Sequence, residues 1–159
     1  MRLAALALLI ALPSAAMADL TVSFRDGAPK DRFTISYDGA CALDQLDVQI
    51  DLGAAPAGLI FDTTSAGAGV EVFQPLEWVS GTARTSQVTD GDTVLSMSLD
   101  GVEPGASWAF TADIDDTTSA RQITVDGSEM AGAMLRAGGQ AAVFDASGAA
   151  TVKLQNCLS

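Results

Sequence analysis

The strongest constraint on the fold of this chain is the alternation of apolar and polar residues at every second position. The clearest run, LDVQIDL, spans residues 46–52, and shorter runs occur at 20–24, 33–37 and 95–99. Side chains of a strand point alternately to its two faces, so each run has one apolar and one polar face. One buried and one wet face is typical of an antiparallel sheet. We therefore expect an all-β protein.

Asp-Gly pairs separate many of these runs. They begin at Asp26, Asp38, Asp90, Asp100 and Asp126. Such a pair tolerates the positive φ angles of tight reversing turns. With other glycine-rich breaks, the pairs divide the chain into about ten short strands, a spacing that favours a sandwich over βαβ units. We predict a single antiparallel β-sandwich, immunoglobulin-like or jelly-roll-like.

One segment, SEMAGAMLRAGG at 128–139, fits two structures. Ser128 as a cap, apolar residues at helical spacing and a glycine stop would suit a short helix. A strand before Asp126 and an alternating run after it would suit a hairpin. Gly132 weakens a helix interior by about 1 kcal/mol, so we predict that residues 128–137 belong to a hairpin and not to a helix.

The first eighteen residues have the composition of a secretory signal peptide. One arginine precedes an apolar run from Leu3 to Leu12, and small residues follow up to Ala18. The apolar run is shorter than the roughly 20 residues of a membrane span. We expect residues 1–18 to be a signal peptide and residues 19–159 to be one β-sandwich domain. The protein is then exported to the periplasm or the extracellular space, without a membrane span.

The two cysteines and the net charge add two further expectations. In an oxidising compartment Cys41 and Cys157 most simply form one disulfide, worth about 4 to 5 kcal/mol for so long a loop. The formal charge of −12 is spread along the chain. Nucleic acid is thus not an expected partner, because its binding needs clustered Lys and Arg.

The sequence contains no histidine. That removes the Ser-His and Cys-His nucleophiles, the usual zinc sites and the commonest general base. A hydrolase built on two carboxylates remains formally open, but no pair stands out in the sequence. We therefore predict a non-enzymatic protein with no catalytic residues.

Two other groups of residues allow a functional and a structural interpretation. Trp78 and Trp108 could form a platform for a carbohydrate or another small ligand, but their apolar neighbours favour core packing. The stretch RDGAPKDRF at 25–33 holds three basic residues, Arg25, Lys30 and Arg32. A solvated turn is the favoured interpretation there, and an anion-binding role is the alternative.

The stretch TADIDDTTSA at 111–120 is the most concentrated acidic cluster. If residues 107–115 form one strand, Asp113 and Asp115 share its wet face and Asp116 begins the turn. These three aspartates, with the oxygens of Thr117 and Thr118, would supply part of a calcium shell, which needs six to eight oxygens. The remaining oxygens must come from another loop, for instance near Asp62 or residues 90–92. The alternative is a solvated hairpin tip.

Several stretches together resemble a known family: DGAPKDRFTI, GACAL, GLIFDTTSAGAGVEVFQPLE, GVEPGASWAFTADIDDT and ITVDGSEMAGA. They are similar to small exported bacterial proteins called aggregation factor core protein, a name taken from the core protein of sponge cell-aggregation factors. The resemblance implies an adhesion module that associates with itself or with a cell-surface glycan or protein, assisted by calcium. A carbohydrate- or small-ligand-binding sandwich is the alternative function.

Overall fold

The computed structural model describes residues 18–67, 69, 72–118 and 125–154, and this part of the chain consists of strands and turns without a helix. The prediction of an all-β protein is confirmed. The strands are β1 (Ala18–Arg25), β2 (Asp31–Asp38), β3 (Leu43–Asp51), β4 (Leu59–Phe61), β5 (Glu77–Ser80), β6 (Arg84–Thr85), β7 (Val94–Val102), β8 (Ser107–Ala112), β9 (Ile114–Asp116), β10 (Met134–Ala137), β11 (Gln140–Val143) and β12 (Ala149–Leu154).

The strands form two five-stranded antiparallel sheets and one two-stranded ribbon. The first sheet has the order β12-β1-β2-β8-β5, the second has the order β11-β10-β3-β7-β6, and β4 pairs with β9 in the ribbon. The arrangement is sandwich-like, as expected. Its assignment to the immunoglobulin-like or the jelly-roll-like type stays a prediction.

The core lies between the two sheets and follows the predicted alternation. In β3 and just after it, Leu46, Val48, Ile50 and Leu52 are all buried, with at most 5% of their surface exposed. In the first sheet, Phe33 stacks on Phe110 at 4.9 Å between ring centroids. Apolar residues of both sheets belong to one contiguous cluster, so each sheet buries its apolar face against the other.

Two local predictions differ from the structure. Asp100 and Gly101 lie inside β7 and do not end it. Residues 127–132 form successive turns, so the segment 128–137 is not a helix, and it does not follow the turn at Gly127 directly as the second strand of the predicted hairpin. Its strand, β10, begins only at Met134 and pairs with β3 and β11, because the reversal occurs at the positive-φ glycines 138 and 139. The first strand of the predicted hairpin, before Asp126, lies mostly outside the described residues.

Two predicted features lie wholly or partly outside the described residues. Residues 1–17 of the predicted signal peptide are among them, and so is Cys157. The disulfide between Cys157 and Cys41 therefore stays a prediction. Strand β1 begins at Ala18, the last residue before the predicted cleavage point, and pairs with β12. Within the described ranges, no helix of a length and apolarity suited to crossing a membrane is found.

Candidate metal centre

The acidic stretch is divided between two strands with different partners. Strand β8 ends at Ala112, and β9 begins at Ile114 after a break at Asp113. Strand β8 pairs with β2 in the first sheet, whereas β9 pairs with β4. The prediction of one continuous strand over residues 107–115 was therefore wrong. Alternation alone cannot show that a strand changes partner midway.

The register of the β4–β9 ribbon brings a third aspartate to Asp113 and Asp115. Ile60 pairs with Asp115, and the N–H of Asp62 donates to the carbonyl oxygen of Asp113 at 3.0 Å. Asp62 therefore stands opposite Asp113, one step beyond the end of β4. Opposite residues share a face of an antiparallel pair, as do alternate residues of one strand. All three aspartates lie on that shared face.

The three carboxylates converge closely. One oxygen each from Asp62, Asp113 and Asp115 can be chosen so that all three atoms lie within 4.8 Å of one another. Asp62 is fully buried and Asp115 is 1% exposed, while Asp113 is half-buried. The prediction that Asp115 faces solvent was wrong, because the ribbon turns this face toward the protein.

A glycine allows the main chain to pass close to two of these carboxylates. Gly69 has a φ of 101°, and a Cβ atom built on it would lie 2.6 Å from Oδ2 of Asp62 and 2.8 Å from Oδ2 of Asp115. Both distances are far below van der Waals contact, so no larger residue fits without displacing the carboxylates. The close approach of the main chain to the two carboxylates therefore depends on a glycine at position 69.

A glutamine amide completes the polar surroundings of Asp113. Nε2 of Gln74 donates to Oδ2 of Asp113 at 2.6 Å. The other amide atom, Oε1, is buried and accepts no hydrogen bond from any residue that the structure describes. A buried acceptor without a donor costs about 1 to 3 kcal/mol. This oxygen is a neutral ligand of the kind that calcium takes from amides.

Burial and a neighbouring charge change the acidity of Asp113. Burial, followed by the neighbouring carboxylate of Asp62, raises the pKa of Asp113 to about 6. The N–H of Ile114 and the ammonium of Lys30 oppose this change only in part. Like charges held close together disfavour ionisation of both. A bound cation would remove that penalty.

Asp31 lies near the cluster and has a different role. Its Oδ1 accepts a hydrogen bond from the N–H of Gly27 at 3.0 Å, and its Oδ2 accepts one from the N–H of Ile114 at 3.1 Å. Only 3% of Asp31 is exposed. Burial raises its pKa to about 7 despite these hydrogen bonds, and the charges of Asp113 and Asp26 contribute to the rise. Asp31 therefore ties the β1–β2 turn to the break before β9.

An acidic cleft of about 510 Å³ opens beside Asp113 and Asp115. Its walls come from the β1–β2 turn, from Gln74, from the β8–β9 break and from the turn after Val125. Its acidic lining consists of Asp26, Asp31, Asp113, Asp115, Asp126 and Glu129. Such a concentration of negative charge in a concave site attracts cations and repels anions.

The other residues of the predicted calcium site are used differently. Asp116 is the last residue of β9, is 1% exposed, and accepts the N–H of Thr118 at 3.2 Å. It is not one of the three converging aspartates, and the prediction that it begins the turn was wrong by one residue. The hydroxyls of Thr117 and Thr118 donate to the carbonyl oxygens of Gly58 and Ala57. They anchor β9 to the turn before β4.

The structure also describes the surroundings of the two tryptophans and of the basic stretch 25–33. Trp108 is 7% exposed, and Trp78 is partly buried against Phe110 at 5.3 Å between ring centroids. Core packing is therefore the correct interpretation for Trp108, and it also applies to the buried part of the Trp78 side chain. In the basic stretch, the ammonium of Lys30 pairs with the carboxylate of Glu77.

The sequence predicts Asp113 and Asp115 as ligands and points to Asp62 only as one example of a contributing loop. Gly69 and Gln74 are not predicted, because a single sequence carries no signal for them. The position of Asp90 is also informative: its Oδ1 accepts the N–H groups of Thr63 and Thr64, so it supports the loop after β4. Comparison with family models, with curated proteins and with solved structures found no match to this chain.

Proposed function

We propose that this protein is an exported, non-enzymatic adhesion or self-association module that binds calcium through Asp62, Asp113 and Asp115. The observation that carries the proposal is the convergence of three carboxylate oxygens within 4.8 Å. Calcium holds its oxygen ligands at about 2.3 to 2.6 Å, so two ligands on opposite sides of one ion are about 5 Å apart. The spacing of the three aspartates fits within that limit.

The chemistry of the surrounding groups favours calcium over a transition metal. Carboxylate and amide oxygens are hard ligands, whereas zinc and copper select nitrogen and sulfur donors, and the chain has no histidine. The Oε1 of Gln74 supplies a neutral oxygen if the amide rotates by half a turn. Amide orientation is set by the partners present, so a cation beside Asp113 would favour the rotated form. Water from the acidic cleft would complete the shell.

Exposed strand edges support the adhesive part of the proposal. Strand β5 is an edge of the first sheet and carries Val79, which is 52% exposed, shortly after Phe73, which is 67% exposed. Strand β11 is an edge of the second sheet and ends in Val143, which is 55% exposed. Unpaired edges with apolar side chains are templates for pairing with another chain. The family resemblance points in the same direction.

Calorimetric titration of calcium into the chelator-treated protein tests the cation site. We expect saturable binding that Asp113→Asn weakens by about tenfold or more, because one charged ligand is lost. Glu129→Gln is the matched control: Glu129 lines the same cleft, and its replacement leaves the three converging aspartates intact. A heat of calcium binding that Asp113→Asn leaves unchanged, or no heat of binding at millimolar calcium, would refute the site.

Sedimentation at several protein concentrations, with calcium or with chelator, tests the adhesive part separately. Self-association predicts a mass that grows with concentration, and calcium assistance predicts a larger mass with calcium. Val79→Lys should reduce the association, because a charge on an edge strand opposes strand pairing. A monomer at every concentration in both conditions contradicts self-association without affecting the cation site.

A second candidate function, a carboxylate-based hydrolase, is favoured by one specific observation. Asp31 and Asp113 lie in one cleft and have pKa values of about 7 and about 6, and raised carboxyl pKa values are typical of general acids. Both oxygens of Asp31 already accept backbone N–H groups, which suits a structural role better. Hydrolysis of a panel of chromogenic glycosides, abolished by Asp113→Asn and retained in chelator, would favour the hydrolase.

The proposal also includes the predicted disulfide between Cys41 and Cys157 and the predicted export. The hydroxyl of Tyr37 donates to the carbonyl oxygen of Cys41 at 2.7 Å and fixes the turn that carries this cysteine. Leu154, three residues before Cys157, lies on β12, two strands from the Tyr37 strand β2. A carbohydrate-binding role receives less support than the cation site, since Trp108 is buried in the core.

A further inference from the structure

Two arginines lie side by side on the outer face of the first sheet. Arg25 is the last residue of β1, Arg32 is the second residue of β2, and the register places them directly opposite each other. Both side chains are exposed. Residues directly opposite in an antiparallel pair have Cβ atoms about 5 Å apart, and like charges at that position are destabilising.

The basic residues elsewhere in the described ranges have acidic partners. Ion pairs join Lys30 to Glu77, Arg84 to Asp100, Arg136 to Asp51 and Lys153 to Asp19. Within the part of the chain that the structure describes, neither Arg25 nor Arg32 has an ion pair or a side-chain hydrogen bond. In a protein with a net charge of −12, these two adjacent guanidinium groups are thus the basic groups without an ion-paired carboxylate among the described residues.

Hydroxyl groups and a concave surface accompany the arginine pair. Ser23 and Thr34 are the next opposite pair of the same two strands, two residues away, and so share the outer face with the arginines. A cavity of about 580 Å³ is lined by these four residues and by the turns that contain Gly127 and Ser147. Two guanidinium groups and two hydroxyls therefore face one space.

We infer that Arg25 and Arg32, with Ser23 and Thr34, form a binding site for an oxyanion of the sulfate or phosphate class. Guanidinium groups bind such oxyanions through paired N–H···O hydrogen bonds, and an anion between the arginines relieves their mutual repulsion. The carboxylate of Asp26, which also lines this cavity, limits the affinity. Asp26 lines the acidic cleft as well, but none of the four proposed ligand residues does, so the inference does not depend on the calcium proposal.

Two-dimensional ¹H–¹⁵N spectra recorded during titration with sodium sulfate and with sodium phosphate test the inference, against sodium chloride at equal ionic strength. We expect saturable shifts at Ser23, Thr34 and the facing turns that chloride does not produce. Arg25→Gln and Arg32→Gln should each weaken binding by about tenfold or more, the loss typical of a hydrogen bond to a charged group. Arg84→Gln is the matched control, an exposed arginine on the second sheet that has an acidic partner.

A second titration identifies the source of the anion. Glucose 6-sulfate is compared with glucose: saturable, arginine-dependent binding of the ester but not of the free anions supports the site as a receptor for esters. Binding of the inorganic anions supports it as a site for free anions. Shifts that match chloride in every titration, or binding that Arg84→Gln weakens as much as Arg25→Gln does, would overturn the inference.

Thermal unfolding provides an independent measurement. Sulfate stabilises most folded proteins by exclusion from their surface, so only the difference between proteins is informative. The wild type should gain more from sulfate than the double variant Arg25→Gln with Arg32→Gln, because only the wild type binds the anion. Equal gains contradict the inference.

Discussion

Raising the pH in the presence of a chelator should destabilise this protein between about pH 4 and pH 7. The cause is the burial of Asp31, which raises the pKa of its carboxyl from 3.8 to about 7. A carboxyl whose pKa is higher in the folded state holds its proton more tightly there than in the unfolded chain. Its contribution is complete below pH 4 and is lost as the pH rises through 7.

The magnitude follows from the two pKa values of Asp31. Each pKa unit corresponds to about 1.36 kcal/mol, so the change from 3.8 to about 7 corresponds to about 4 kcal/mol of unfolding free energy. Asp113 adds in the same direction, but it is only half-buried, and solvent screening reduces its share to about 1 kcal/mol. The pKa values of Asp90, Asp126 and Asp145 are lowered, so these groups change the unfolding free energy only below about pH 4.

Urea denaturation followed by the fluorescence of Trp78 and Trp108, at pH 4 to 8 with chelator, measures this loss. Asp31→Asn should be less stable at pH 4, because its amide presents a donor to a backbone N–H, but its stability should fall far less up to pH 8. Asp38→Asn, an exposed acid, should retain the full pH dependence. A wild-type free energy of unfolding that is constant or increases from pH 4 to pH 8 would refute this reasoning.

Three further predictions concern Gly69, the core residue Phe33 and the two cysteines. Gly69→Ala should weaken calcium binding by about tenfold or more in calorimetry, because its Cβ would lie 2.6 Å from Oδ2 of Asp62. Gly105→Ala, also at positive φ but in open space, is the control. Equal calcium affinities of the two variants would contradict the geometry. Phe33→Ala should cost about 3 to 5 kcal/mol in urea unfolding, since Phe33 is fully buried against Phe24 and Phe110, whereas the exposed Val79→Ala should cost far less. If the proposed Cys41–Cys157 disulfide forms, protein recovered from an oxidising compartment should gain about 2 Da on reduction, the mass of two hydrogens. An unchanged mass would disprove the pairing.

The sequence predicts the strands better than it predicts the site. Alternation correctly identifies the buried faces of β2, β3 and β7, because one face of each strand packs on the core and the other meets water. The same alternation continues through Trp108, Phe110, Ala112 and Ile114 without a sign of the break at Asp113. A period-two pattern records which side is buried, but it does not record which strand is the neighbour.

The site depends on a contact between residues that are distant in the sequence. Asp62 meets Asp113 only because β4 pairs with β9, and each of these strands has three residues. So short a pairing leaves almost no sequence signal. Gln74 and Gly69 belong to the long connection between β4 and β5, where neither propensity nor spacing predicts the direction of a side chain.

The antiparallel pairing of β1 with β12 has a mechanical consequence. Ala18 lies beside Leu154, so the outer ends of the two strands emerge next to each other at one end of the first sheet. Tension applied at these two points loads the hydrogen bonds between β1 and β12 one after another, as in opening a zipper, rather than all at once. The domain therefore resists pulling on its ends far less than it would with its ends at opposite poles.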